Sequence, residues 1–286
     1  MAEAFGVTAG ALSIAGLFNN CVDCFEYIQL GRNFGRDFHS SQLRLDMAKV
    51  RLSRWGEAVD IAGENTQITS DTEALACEVL WQILVLFSNA AEVSERLQPQ
   101  VPNYGDVYDP KTDMGQASLR LHEKQRLFAR RRLRDTQLFK KISWGLYQYK
   151  NMDRLVRSIT DLIEDLEKLL PETKNQQQLR NLVENEVVEL DHQDLQIIHE
   201  RADDTDPLLK EAVNSEIERP EGYRTGNLKT TDEARLGVGD EYSDAAVSSG
   251  YQPKRMIPVL VGHVEASGKS KVQVGTRYGG RSMMAD

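Results

Sequence analysis

Apolar residues recur at spacings of three and four along most of the chain, and at a spacing of two only near its end. Met152, Leu155, Val156, Ile159, Leu162, Ile163, Leu166, Leu169 and Leu170 form one helical stripe, which Pro171 closes. After Ser40 and Ser41 there are two stripes on one segment. Leu43, Met47 and Val50 make the first; Leu45, Ala48, Leu52, Trp55 and Val59 make the second. A helix apolar on two sides is buried on two sides, as in a bundle. Helices are also predicted over 71–97, 114–148 and 179–200, with a long loop, QPQVPNYGDVYDPKTD, over 98–113. The polar stretch 201–222 holds one last short helix before Pro220 and Gly222. Residues 7–217 therefore read as an all-α helical bundle.

The tail follows a different rule. Residues 226–242, GNLKTTDEARLGVGDEY, reappear as 262–278, GHVEASGKSKVQVGTRY, at an offset of 36 without a gap. Gly226/Gly262, Val238/Val274, Gly239/Gly275 and Tyr242/Tyr278 are identical. Leu228/Val264, Thr231/Ser267, Arg235/Lys271 and Leu236/Val272 are conservative. Alternation around Leu236 and Val238, and around Val272 and Val274, suits strands, with a bend after each at Gly239 and Gly275. Stacking the copies sets each residue against its equivalent at about 4.8 Å. Lys229 then faces Glu265, Glu233 faces Lys269 and Glu241 faces Arg277, while Arg235 over Lys271 is the unfavourable exception. The nineteen residues 243–261 are ample to return the chain to a second rung. Such a unit has open edges and can recruit further copies.

Composition sharpens this division. Ten of the twenty glycines lie between Gly222 and Gly280, and residues 218–286 contain only three Leu and one Ile. That stretch holds ten Lys or Arg against nine Asp or Glu, so all of the net charge of −9 comes from 1–217. We expect an acidic helical domain, 1–217, followed by a disordered tail, 218–286, that cannot bury enough apolar surface to fold alone. The acidic total argues against nucleic acid as the main partner. The basic run RLFARRRLR, Arg126–Arg134, is the local exception. It reads first as a solvated helix face and alternatively as a segment attracted to an anionic membrane.

Between Glu3 and Asp23 lie nineteen consecutive uncharged residues, close to a membrane span. Gly6 and Gly10 form a G-x-x-x-G pair, continued by Ala11 and Ala15, that suits close helix packing in lipid. The same run can equally be a buried core helix, although its glycines make it a poor one. Leu12, Ile14, Leu17 and Phe18 supply its apolar bulk.

The remaining chemistry is sparse. Three cysteines, Cys21, Cys24 and Cys77, fit a reducing compartment, and MAEAF lacks the positive start of a signal peptide. The single C-x-x-C of Cys21 and Cys24 has no second pair or nearby His to complete a metal site. The five histidines are scattered, with His192 and His199 expected on a helix surface. No phosphate loop, G-x-S-x-G or H-E-x-x-H occurs, so neither an enzyme nor a cofactor is expected.

The runs FGVTAGALSIAGLFNNCVDCFEYIQLGRNFGRD, 5–37, and LRLDMAKVRLSRWGEAV, 43–59, resemble the HeLo domain of the fungal HET-s/HET-S prion family. The paired repeats and the terminal VGTRYGG resemble that family's prion-forming domain. The resemblance implies an all-α helical bundle whose flexible tail converts to a two-rung β-solenoid amyloid. It implies a role in heterokaryon incompatibility, a programmed cell death after fusion of unlike strains. In toxic members, templating of the tail disrupts the helical domain, and the N-terminal segment is expelled from the cytoplasm into the plasma membrane. The implied partners are the chain itself, related HET-s/HET-S proteins, the membrane and an upstream nucleotide-binding immune receptor with a similar motif. The family's toxicity-controlling positions match Asp23 and Asn33. Position 33 is Pro in the family's inactive form and His in its active form, and Asn33 is neither. The family's stacked Asn pairs are represented by Asn227/His263 and Asp240/Thr276, and Met283 and Met284 replace its C-terminal aromatics. A helical adaptor with a non-polymerising tail is the competing expectation.

Overall fold

A computed structural model describes residues 13–31, 34, 38–61, 69–97, 107–133, 144–146, 148–170, 174–201, 205–218, 223–226, 228–238 and 259–274. The described residues group into two compact units, one within 1–180 and 196–210, the other within 181–195 and 211–286.

The first unit is built around α2, Phe38–Ala58. Both stripes read from the sequence are buried, from Leu43 and Met47 on one to Leu52, Trp55 and Val59 on the other. A helix enclosed on all sides must also pair its polar groups. Asp46, Lys49, Arg51 and Arg54 are all buried; Lys49, Arg51 and Arg54 each reach a carboxylate, and Asp46 reaches the His122 imidazole. Against α2 pack α1, Ile14–Cys24, α5, Gln116–Arg132, and α6, Tyr149–Lys168. α3, Ser70–Leu97, packs on α1 and α6. The α6 stripe from Met152 to Leu166 faces inward, and Trp55 Nε1 donates to the Leu166 carbonyl at 3.0 Å.

Three local features depart from the sequence expectation. The helix expected over 114–148 ends at Arg132, and Trp144–Leu146 instead forms a strand, β2, parallel to β1, Ile28–Leu30. Within the expected 98–113 loop, Pro110–Asp113 make one helical turn, α4, capped by Asp109. The helix expected over 179–200 is two, α7, Lys174–Val188, and α8, His192–Arg201. The break comes where Asp191 and Asp194 accept each other's backbone N–H, at 2.9 and 3.2 Å, a reciprocal cap that starts α8. His192 and His199 are exposed on α8, as expected. α9, Pro207–Ile217, is the last short helix, with Pro207 at its first position and Asp206 Oδ1 accepting from Leu209 N at 3.1 Å.

In the second unit the tail carries six strands: β3, Tyr223–Thr225; β4, Leu228–Thr230; β5, Arg235–Val238; β6, Val259–Val261; β7, Val264–Ala266; and β8, Lys271–Val274. Expected to lack fixed structure in the soluble chain, the tail instead holds strand pairs over these residues. Backbone pairing between the two copies satisfies amides that neither copy can satisfy alone.

Candidate functional sites in the tail and the N-terminal helix

All three tail sheets are two-stranded and parallel, and all three hold one offset. Leu228 lies opposite Val264, Lys229 opposite Glu265, and Thr230 opposite Ala266. Arg235 lies opposite Lys271, Leu236 opposite Val272, and Val238 opposite Val274. The third pair, Tyr223 with Val259 through Thr225 with Val261, keeps the offset of 36 upstream of the detectable repeat. The sequence conceals this rung because YRT and VLV share no residue, whereas backbone hydrogen bonding does not depend on side-chain likeness.

Side chains reinforce the register. Lys229 Nζ lies 2.9 Å from Glu265 Oε2, and Lys269 Nζ lies 4.0 Å from Glu233 Oε1, both pairs being exposed. The Lys229 ammonium holds the Glu265 carboxyl below its ordinary value. Glu241, Arg277, Gly239, Gly275, Tyr242 and Tyr278 lie outside the described residues, as do Asn227, Asp240, Thr276, Met283 and Met284.

A turn precedes β5 and β8 in the described residues, while the bends expected at Gly239 and Gly275 fall outside them. Asp232 and Gly268, themselves 36 apart, both take left-handed backbone, with φ of 61° and 72°. Lys269 N donates to Asp232 O at 2.7 Å, and a Cβ on Gly268 would stand 3.0 Å from that oxygen. Glycine is the residue that tolerates both the conformation and the approach. Aligning the copies could have revealed it, because Asp and Gly are two of the residues that visit this region most readily.

The two copies are covered unequally. Thr230 and Val238 of the first are buried, whereas Val264 and Val274 of the second are 39% and 45% exposed. Each described strand pairs with one other strand.

In the first unit, α1 begins where Ser13 Oγ accepts from Gly16 N at 3.2 Å. Ile14, Leu17 and Phe18 are all buried within the protein. Phe18 lies in the tightest seat. Its ring meets Trp55 at 6.3 Å between centroids and occupies the space where a side chain on Gly56 would be. Cys21 Sγ donates to the Leu80 carbonyl at 3.2 Å, tying α1 to α3. Cys21 and Cys24 are buried free thiols, and among the described residues no group of three His, Cys, Asp or Glu could hold a metal. Asp23 is buried at the end of α1. Gly6, Gly10, Leu12 and Asn33 lie outside the described residues. Among those described, α3 is the helix long and apolar enough to cross a membrane, by length and composition alone.

Two polar clusters brace α2, and the sequence reading found neither. Lys49 and Arg126 both reach Glu26, and His122 Nδ1 lies 2.6 Å from Asp46 Oδ2. These groups line a cavity of about 440 Å³. Burial pushes the Glu26 carboxyl up, but Lys49 and Arg126 outweigh it and hold the group below its ordinary value; burial pushes the Lys49 ammonium down. At the other end of α2, Arg54 and Asp206, both fully buried, meet through two contacts of 3.0 and 3.3 Å. Beside them Arg51 reaches Glu167 and donates to the Thr205 carbonyl at 3.1 Å. The signal for these groups is charge inside an apolar stripe, which demands a partner wherever the stripe is buried.

Residues 6–198 match the HeLo family model, described as prion inhibition and propagation. The chain is 36% identical over 288 residues to heterokaryon incompatibility protein s of Podospora anserina, covering 98% of both chains. It is 36% identical over 287 residues to heterokaryon incompatibility protein S of strain S of that fungus, again over 98% of each. The fold superposes on the HET-S N-terminal domain with a TM-score of 0.69 at 39% identity, covering 75% of this chain and 98% of that one. A doubly substituted HET-s N-terminal domain matches with a TM-score of 0.68 at 38% identity, over 73% and 100%.

Proposed function

The chain belongs to the HeLo family, and from that footing we propose that it is a non-enzymatic signalling protein of heterokaryon incompatibility, working through an amyloid tail. In this reading 218–286 is the prion-forming domain and 1–217 the helical executioner. The observation that supports it most is the constant offset of 36 across three parallel strand pairs. A two-rung unit with open edges presents the same backbone donors and acceptors to the next copy that its own copies present to each other. The exposed valines of the second copy, Val264 and Val274, offer that next copy an apolar face.

Growth of such a stack would draw on the tail and loosen the helical domain, freeing the segment of Gly6, Gly10, Leu12, Ile14, Leu17 and Phe18. Ile14, Leu17 and Phe18 are core residues here, so insertion requires that α1 leave its seat. The protein would then pass from the cytoplasm to the plasma membrane. Its partners are further copies of itself, HET-s/HET-S relatives and an upstream nucleotide-binding receptor with a similar segment.

Seeding tests the reading. Soluble full-length chain should convert to cross-β fibrils when given fragments of its own fibrils, and then permeabilise liposomes. Proline at Leu236 and Val272 should stop both, since each removes a ladder donor. A chain that stays soluble under repeated seeding would leave the tail as the non-polymerising motif of a helical adaptor. Expression beside a prion-infected partner strain reads which side of the incompatibility Asp23 and Asn33 place the chain on.

A further inference from the structure

We propose that the outer face of α5 is a docking surface for an anionic lipid bilayer, an inference that rests on the membrane step proposed above and gives it a starting orientation. α5 carries six basic residues, Arg120, Lys124, Arg126, Arg130, Arg131 and Arg132, against one acid, Glu123, in a chain whose net charge is −9. Leu121, His122, Gln125, Phe128 and Ala129 are buried and fix the helix against α2. Arg126 and Arg132 turn aside to Glu26 and Glu57. What faces outward at spacings of three and four is Arg120, Glu123, Leu127, Arg130 and Arg131, with Lys124 half-buried among them. Leu127, at the centre, is 46% exposed.

Part of this pattern serves the helix itself. Arg130, Arg131 and Arg132 fill the last turn, where cations suit the negative end of the helix dipole. Arg120 and Lys124 lie two to three turns earlier on the same side, so that cations flank the exposed Leu127 from both directions along the helix. A bilayer surface accounts for all of them together. Its headgroups take the charges, long side chains keep their heads at that level, and Leu127 enters the apolar boundary beneath. Nucleic acid would answer the charge but gives Leu127 no apolar layer to enter.

The test uses unseeded full-length chain and co-sedimentation with vesicles of phosphatidylcholine, with and without phosphatidylserine. Binding is expected only with phosphatidylserine and should weaken as salt rises. Each basic side chain near the surface is worth about fivefold in partition, so Arg130→Gln with Arg131→Gln should lose roughly 25-fold. Arg120→Gln with Lys124→Gln should lose a similar amount. Leu127→Ser should lose severalfold while leaving the salt dependence unchanged. Arg157→Gln, on exposed α6 surface, is the control and should bind like the parent. Equal binding to phosphatidylcholine alone, or full binding by both arginine-depleted pairs, overturns the proposal. So does vesicle binding that single-stranded DNA displaces and Leu127→Ser leaves intact, which would mark a nucleic-acid surface. Because docking is read before seeding, a chain that docks but never leaks after seeding keeps this surface and sinks the execution reading. One that leaks without docking does the reverse.

Discussion

The ring of Phe18 fills the place of a side chain on Gly56: a Cβ there would stand 2.3 Å from the ring's Cζ and 2.5 Å from its neighbour. Gly56 lies within α2, where glycine is unfavourable by about 1 kcal/mol relative to alanine, so its presence is explained by the seat it makes for α1. Gly56→Ala should therefore destabilise by about 1–3 kcal/mol through overpacking rather than stabilise the helix. Thermal melts should show a lower midpoint, and seeded liposome leakage should quicken. Phe18→Leu in the same chain should recover part of the loss. A midpoint raised by Gly56→Ala alone would mean that α1 does not depend on this seat.

Asp206→Ala removes the partner of a fully buried Arg54 and the cap of α9 together. Leaving a buried charge unpaired costs about 3–5 kcal/mol, which should appear as a large fall in the urea midpoint. The double change Arg54→Met with Asp206→Leu should regain much of it, because the pair's desolvation vanishes with its attraction. If the single and double variants were equally unstable, the pairing would not be the source of the loss.

Acid should loosen the first unit through Glu26. Burial raises this carboxyl, but Lys49 and Arg126 outweigh burial, so its folded value lies below the ordinary 4.5. The stabilisation is complete above about pH 4.5 and is lost as pH falls toward the depressed folded value, because the unfolded chain takes up the proton first. Glu26→Gln should flatten this acid limb. It should also lower stability at neutral pH, where Lys49 loses its carboxylate. A pH–stability curve with an unchanged acid limb in Glu26→Gln would refute the assignment.

Charge reversal reads the tail register directly. Lys229→Glu places a carboxylate against Glu265 and should slow seeded conversion severalfold; adding Glu265→Lys should restore the rate. Both groups are more than half exposed, so high salt should shrink the difference. Conversion rates indifferent to the single reversal would place Lys229 opposite some other residue in the stack.

The two turn positions should respond differently. Gly268→Val forces a branched side chain into left-handed backbone, at about 1–2 kcal/mol, and against the Asp232 carbonyl. Its lag before conversion should lengthen markedly. Asp232→Gly relaxes the equivalent strain in the first copy and should shorten the lag or leave it unaltered. Equal behaviour of the two variants would indicate that neither turn forms during conversion.

What could be read in the sequence depended on how far apart the cause and its signal lie. The stripes of α2 and α6 are local, and both helices follow them closely. The tail register was legible because the chain repeats itself. β2 was not: Trp144–Leu146 is too short for a period of two to register, and its partner Ile28–Leu30 lies over a hundred residues away. The end of α5 at Arg132 carries no Gly or Pro to announce it. The partners of Lys49, Arg51 and Arg54 are distant in the chain, and only the fold brings Glu26, Glu167 and Asp206 to them. The uncharged N-terminal run admits both a span and a core helix, and the described part, from Ile14 onward, is core.

The constant offset of the tail also sets a linear density. A fibre continued by this pairing lengthens by two rungs, about 9.6 Å, for each chain added. Each such step carries 32.3 kDa, of which the 217 residues ahead of the tail must fit around the axis. A helical domain of that size is wider than such a step, so in the proposed stack successive copies would crowd one another. In the proposed fibre, mass per unit length would count rungs per molecule, and crowding would bear first on whichever helix is least well seated.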